Sequence, residues 1–315
     1  MSISAYIKVI GRGKDGARPL SSEQAYDLMS QVLDGHASDL EIGAFCLAMR
    51  IKGETVEELD GFVRATLERT LMIAGAQSGV VVLPSYNGAR KLPNLTPLLA
   101  LQLARQGIAV LVHGPRHDPT RVTTAQVFDA LGLPTAKTIN DVQASWHAGR
   151  PAYMDTATLC PPLARLLDVR WAIGLRNPGH TVAKLLDPIV AAPGRRTMRV
   201  VNHTHPEYAL SLTAYLAHAR ANALLMRGTE GEPVADPRRQ PRFDVFIDGQ
   251  RDEHLSRAPV DGVLTELPEL PNGFDAPTTA QYIEAIMREQ QPLAAAIAAQ
   301  AVCLRQALDL APLGS

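Results

Sequence analysis

Val80-Val81-Val82-Leu83-Pro84-Ser85-Tyr86-Asn87-Gly88-Ala89-Arg90-Lys91-Leu92-Pro93-Asn94-Leu95-Thr96-Pro97-Leu98-Leu99-Ala100 changes character twice along its length. It opens with an apolar, mostly β-branched run, the pattern of a strand buried on both faces. Pro84 ends that run, and Ser85-Tyr86-Asn87-Gly88 reads as a turn. A helix is predicted over residues 95–106, with Asn94 as its cap and Gly107 as its stop. Residues 108–113 form a second buried strand, Gly114-Pro115 breaks it, and residues 120–131 read as a second helix. Strand, helix, strand, helix implies a parallel sheet with crossover helices.

Upstream the pattern is different. Ser21-Ser22-Glu23-Gln24, Ser38-Asp39-Leu40-Glu41 and Thr55-Val56-Glu57-Glu58 each carry a capping-box pattern ahead of an apolar stripe of helical period. Three short helices in a row predict a small helical domain. Downstream, residues 163–175 and 180–186 read as helices and residues 200–202 as a strand. Pro206 suits the first helical position before residues 207–219. Residues 223–227 and 243–247 read as strands, and residues 278–289 and 293–310 as closing helices. The predicted fold class is α/β: a helical domain over residues 1–74, then an α/β domain over residues 75–315 with a central, mainly parallel sheet.

With 315 residues, 46% of them hydrophobic and 20% charged, the chain can bury a sizeable core, and disorder is not expected. No apolar run approaches the ~18 residues of a membrane span. No apolar block followed by a small-residue cleavage site marks the first residues, which predicts a cytoplasmic chain. Cys46, Cys160 and Cys303 are too few and too scattered for a disulfide framework or a cysteine zinc site. The net charge of −1 hides a strong asymmetry. Residues 1–79 carry −3, residues 80–200 carry +8 with no glutamate, and residues 201–315 carry −6. The central block points to an anionic partner, unless folding scatters its charges over the surface.

Ligands of open α/β sheets sit at the carboxyl ends of strands. Three loops qualify. In residues 84–91, a single glycine is not expected to build a nest of amides for a diphosphate, so Arg90 and Lys91 are the candidate phosphate contacts; a plain Asn-Gly turn with solvated charges is the alternative. Residues 113–121 hold His113, Arg116, His117 and Arg121. Pro115 denies the two histidines a shared helix, so no metal is expected there. The third loop holds Glu230, Glu232 and Asp236. It could hold magnesium, but with Pro233 inside it and Arg238, Arg239 and Arg242 close behind, it reads as solvated. At Asn177-Pro178-Gly179-His180 a new helix starts, and its free amides, with Arg170, Arg176 and Lys184 nearby, could attract an anion. Trp171 is expected in the core.

Ile51-Lys52-Gly53-Glu54-Thr55 and the element order that follows resemble anthranilate phosphoribosyltransferase, over nearly the whole chain. The resemblance implies a homodimer formed through the helical domain. Its departures bear on activity. The family's glycine-rich GTGGD loop corresponds to Ser85-Tyr86-Asn87-Gly88-Ala89. Its diphosphate contacts are partly kept in Asn94-Leu95-Thr96-Pro97. Its Lys-His-Gly-Asn-Arg loop corresponds to Val112-His113-Gly114-Pro115-Arg116, and its acidic magnesium pair is missing near Glu232-Pro233-Val234.

Ile10-Gly11-Arg12-Gly13-Lys14, residues 84–91, Asn94-Leu95-Thr96-Pro97-Leu98-Leu99-Ala100, Asp118-Pro119-Thr120-Arg121 and Met226-Arg227-Gly228-Thr229-Glu230-Gly231-Glu232 are similar to the YbiB-type branch of this glycosyltransferase family 3. That branch implies nucleic-acid binding, to DNA or RNA without sequence specificity, and no transferase activity. On this reading the phosphate-contacting candidates are Arg90, Lys91, Asn94, Thr96, His113, Arg116, Arg121, Arg176 and Lys184, with Arg12 and Lys14 farther out and Arg195, Arg196 and Arg199 as an alternative track. No cofactor and no metal are expected. The alternative is an active phosphoribosyltransferase with an aromatic or base acceptor.

Overall fold

A computed structural model describes residues 2–13, 15–260 and 268–309. Two compact units divide the chain: Met1–Leu71 with Thr156–Pro188, and Met72–Asp155 with Ile189–Ser315. The 1–74/75–315 division therefore needs correcting. The chain leaves the second unit after Asp155 and adds three helices, Thr156–Leu159, Pro161–Ile173 and Pro178–Leu185, to the first. The +8 block is divided with it, since residues 156–188, net +2, lie in the helical unit.

In the helical unit the helices Ser22–Leu33, Asp39–Lys52 and Val56–Leu67 each begin at the predicted capping box, on Ser21, Ser38 and Thr55. An additional helix, Ser4–Ile10, precedes them. Leu28, Phe45 and Phe62 are fully buried, with the two phenylalanine rings edge-to-face at 5.8 Å. Helices Ser22–Leu33 and Val56–Leu67 approach so closely at Gly61 that a Cβ there would overlap the Ser22 carbonyl. Buried Glu58 joins the elements, accepting from the Leu20 amide at 2.9 Å and pairing with Lys52 at 2.6 Å. Trp171 is exposed rather than in the core, with the Arg170 guanidinium 4.0 Å from the centre of its ring.

The second unit is an eight-stranded sheet. From one edge its strands run Gln250–Arg257, Phe243–Ile247, Ala223–Arg227, Thr197–His203, Val80–Pro84, Ala109–Gly114, Ala152–Asp155 and Thr135–Ala136. All pairings are parallel except the two that Phe243–Ile247 makes. Val80–Pro84 is buried at every position, as its apolar run requires, because helices cover both faces of a parallel sheet. It is the first strand of the sheet in sequence and lies in the middle. The sheet grows from it to one side through Ala109–Gly114, then to the other through Thr197–His203. This reversal is the switch point at which open sheets present a ligand crevice. The helix expected over residues 120–131 is shorter: Val122 bridges to Ala89 instead, and Thr123 caps Thr124–Ala130.

Candidate anion-binding site

The loop after Val80–Pro84 turns sharply at the switch point. The Ser85 amide donates to the His113 carbonyl at 2.8 Å, so the two strand ends stay zipped. A Cβ on Gly114 would overlap the Ser85 carbonyl. Gly88 takes φ +73°, and Ala89 pairs with Val122 across a short bridge. The backbone amides of Asn87 and Gly88 then converge on a single point, and that point holds the Glu232 carboxylate.

Glu232 Oε1 accepts from the Asn87 amide at 2.7 Å and the Gly88 amide at 2.6 Å. The Ser85 hydroxyl donates to Oε2, and Thr96 Oγ1 donates to it at 3.3 Å. Asn94 Nδ2 donates to Thr124 Oγ1 at 2.8 Å, and Thr124 lies 2.6 Å from Ser85 Oγ, so a chain of donors runs inward to the carboxylate. Glu232 is 1% exposed. Its neighbour two residues back does the same at the rim. One oxygen of Glu230 accepts from three successive amides, those of Arg90 at 2.7 Å, Lys91 at 3.0 Å and Leu92 at 3.2 Å.

Two expectations are corrected here. The single-glycine loop does form an amide nest, because Gly88 alone supplies the left-handed residue that the turn needs. The third loop is not solvated, since Glu232 is buried. The turn that delivers it is tight: Glu230 has φ +52°, Gly231 has φ +87°, and a Cβ on Gly231 would overlap the Asn87 side-chain amide. The surroundings of Glu232 are N–H and O–H donors, which suit an anion and repel a cation. A magnesium–diphosphate pair therefore does not fit this pocket as it stands. Among the described residues no cluster of three or more His, Cys, Asp or Glu could hold a metal.

The sequence candidates separate into three groups. Asn94, Thr96 and His113 are buried. The first two are engaged in the Glu232 network, and His113 Nδ1 lies 2.9 Å from the Tyr86 hydroxyl, so none of the three faces solvent. Arg90, Lys91, Arg116 and Arg121 lie around the mouth. Arg90 and Lys91 are exposed, and neither side chain makes an ion pair among the described residues. Arg116 pairs with Asp129 at 2.8 Å and donates to Thr135 at 2.6 Å; Arg121 donates to the Gly88 carbonyl at 3.3 Å. Arg176 and Lys184 belong to the helical unit. There Asn177 caps Pro178–Leu185 in a capping box with His180, whose side chain is buried. In the alternative track Arg196 is buried and donates to the Ala307 carbonyl at 3.1 Å. Lys14 lies outside the described residues. Sequence reading gave Ser85 and Thr124 no role and weighed Glu230 and Glu232 only as magnesium ligands or solvated charges; the visible signal was Gly228 and Gly231 beside the carboxylates, a mark of close backbone approach.

The same architecture occurs in solved structures. Anthranilate phosphoribosyltransferase from Thermus thermophilus superposes with a TM-score of 0.71 at 20% identity, over 96% of this chain and 94% of that one. The enzyme from Saccharomyces cerevisiae in complex with PRPP and Mg gives 0.71 at 14% identity, over 98% and 89%. Residues 4–70 match the model of the glycosyl transferase family, helical bundle domain. Uncharacterized protein YbiB of Escherichia coli (strain K12) is 38% identical over 306 residues, 96% of this chain and 93% of that protein. The chain belongs to glycosyl transferase family 3, alongside YbiB. Anthranilate phosphoribosyltransferase 2 of Ralstonia nicotianae is a more distant relative in this family, 29% identical over 70% of the chain and 63% of its own length. No helix among the described residues is long and apolar enough to cross a membrane.

Proposed function

We propose that this family member is a cytoplasmic nucleic-acid-binding protein that grips phosphates with little sequence preference and does not transfer phosphoribosyl groups. The observation that carries the reading is the state of the loop at residues 85–92. Its inward amides are filled by the protein's own Glu232 and Glu230, while the Arg90 and Lys91 side chains stand exposed with no ion-pair partner among the described residues. A diphosphate would have to displace a buried, multiply hydrogen-bonded carboxylate. A nucleic-acid backbone needs only the outer cations. Arg116 can join them, because an exposed pair such as Arg116–Asp129 contributes little and exchanges readily for a phosphate. No base-reading module is visible, so counterion release supplies the affinity.

We further propose a homodimer formed through the helical unit. Leu40, Leu47 and Ile51 are exposed on helix Asp39–Lys52 at helical spacing, a stripe that a second copy would cover. The rival reading, an active phosphoribosyltransferase, draws on the likeness to the anthranilate enzymes. Calorimetry with phosphoribosyl pyrophosphate and Mg²⁺ separates the two. No turnover with an aromatic acceptor is expected, and saturable Mg²⁺-dependent binding followed by such turnover would overturn the reading.

A further inference from the structure

The Glu230 side chain is only half-buried, unlike Glu232, yet one of its oxygens takes the amides of Arg90, Lys91 and Leu92 together. One carboxylate oxygen has two lone pairs in its plane, so three donors share it imperfectly. The Glu230 backbone is held at φ +52°, an uncommon conformation for a residue with a side chain, which costs energy. Its carbonyl is tied by the Asn87 side-chain amide at 2.9 Å. The carboxylate is thus aimed at those amides, and two of the three belong to Arg90 and Lys91, whose cationic side chains are exposed. Three successive N–H groups flanked by Arg and Lys are what a tetrahedral oxyanion accepts, one oxygen per donor.

We propose that the amides of residues 90–92 are a phosphate site and that Glu230 is its internal competitor, which a nucleic-acid phosphate displaces on binding. The inference rests on the nucleic-acid reading for the source of the phosphate, but the site itself stands on the geometry of the loop. Glu232, buried and anchored, stays in place and holds the turn, so displacement needs only the Glu230 side chain to rotate outward.

The test compares the full-length wild type with Glu230→Ala and Glu230→Gln, by anisotropy of a labelled oligonucleotide and, separately, by thermal shift with inorganic phosphate. Because Glu230 lies at the rim, both variants are expected to fold. Glu230→Ala should bind the oligonucleotide about tenfold tighter than wild type, the scale of one regained charge-assisted contact. Glu230→Gln should gain clearly less, because its carbonyl oxygen still caps the amides. Inorganic phosphate should raise the Tm of Glu230→Ala more than that of wild type. Equal gains in Ala and Gln would reduce the effect to charge removal and overturn the proposal, as would no gain. If wild type and variants all fail to bind the oligonucleotide, the nucleic-acid reading fails. The phosphate arm then decides the site: stabilisation specific to Glu230→Ala supports it, and its absence overturns it.

Discussion

At the residue scale, Glu232 is the anchor of the site. Its charge is out of water, and the amides of Asn87 and Gly88 and the hydroxyls of Ser85 and Thr96 take water's place. Removing the carboxylate leaves several buried donors unpaired at about 1–3 kcal/mol each. Glu232→Ala should therefore lower stability by about 3 kcal/mol or more, measured by urea denaturation, and a loss below about 1 kcal/mol would contradict the network. Gly231→Ala should also destabilise, because its Cβ meets the Asn87 side chain and its φ is +87°. These contacts were not legible in the sequence. Asn87 and Glu232 are far apart in the chain, and what joins them is the strand order, not a local pattern. Arg90 and Lys91 were legible, because two adjacent cations after a strand need no distant partner to be noticed.

At the element scale the sequence spoke most clearly. The starts of Ser22–Leu33, Asp39–Lys52 and Val56–Leu67 each rest on an i, i+3 pair, which is a local code. The strand Val80–Pro84 was equally plain from its apolar run. The strand Gln250–Arg257 was missed, because it is an edge strand with charged residues along it and shows little buried face. Ala152–Asp155 was missed because it is only four residues long. One helix start carries a pH dependence. Burial, then the charges of Arg176 and Arg170, with Lys184 adding a smaller push, hold the His180 imidazole neutral, its pKa lowered to about 3. In the unfolded chain the ring titrates near about 6.5. Below that value the unfolded state binds a proton that the folded state refuses. Stability is thus intact above about pH 6.5 and falls as the pH drops toward about 3, by up to about 1.4 kcal/mol per pH unit. His180→Gln should flatten that slope in denaturation measured across this range. An unchanged slope would place the acid sensitivity elsewhere. The Ser38 cap gives a second check: Ser38→Ala should cost about 1 kcal/mol.

At the scale of the whole molecule, the fold class followed from the change of period at residue 80, but the return of residues 156–188 to the helical unit did not. That return is a matter of which apolar faces meet, and Leu163, Leu166 and Leu167 read as an ordinary buried stripe wherever they pack. Leu28, Val32 and Phe45 are taken up by the unit's own core, while Leu40, Leu47 and Ile51 are left outside. Leu47→Arg with Ile51→Arg should therefore yield a folded monomer of 34.0 kDa by sedimentation, where the proposed assembly predicts a dimer for the wild type. A wild-type monomer at micromolar concentration would contradict the proposed assembly.

The most direct measurement is the salt dependence of oligonucleotide binding by wild type and by the Arg90→Ala, Lys91→Ala double variant. Each phosphate neutralised on duplex DNA contributes about −0.9 to the slope of log K against log salt. Wild type should bind unrelated sequences alike and lose roughly a hundredfold in affinity between about 50 and 200 mM salt. The double variant should bind all sequences more weakly, with a slope shallower by about 1–2. Binding that survives the double change with the same slope, or no binding by the wild type at low salt, would contradict the account.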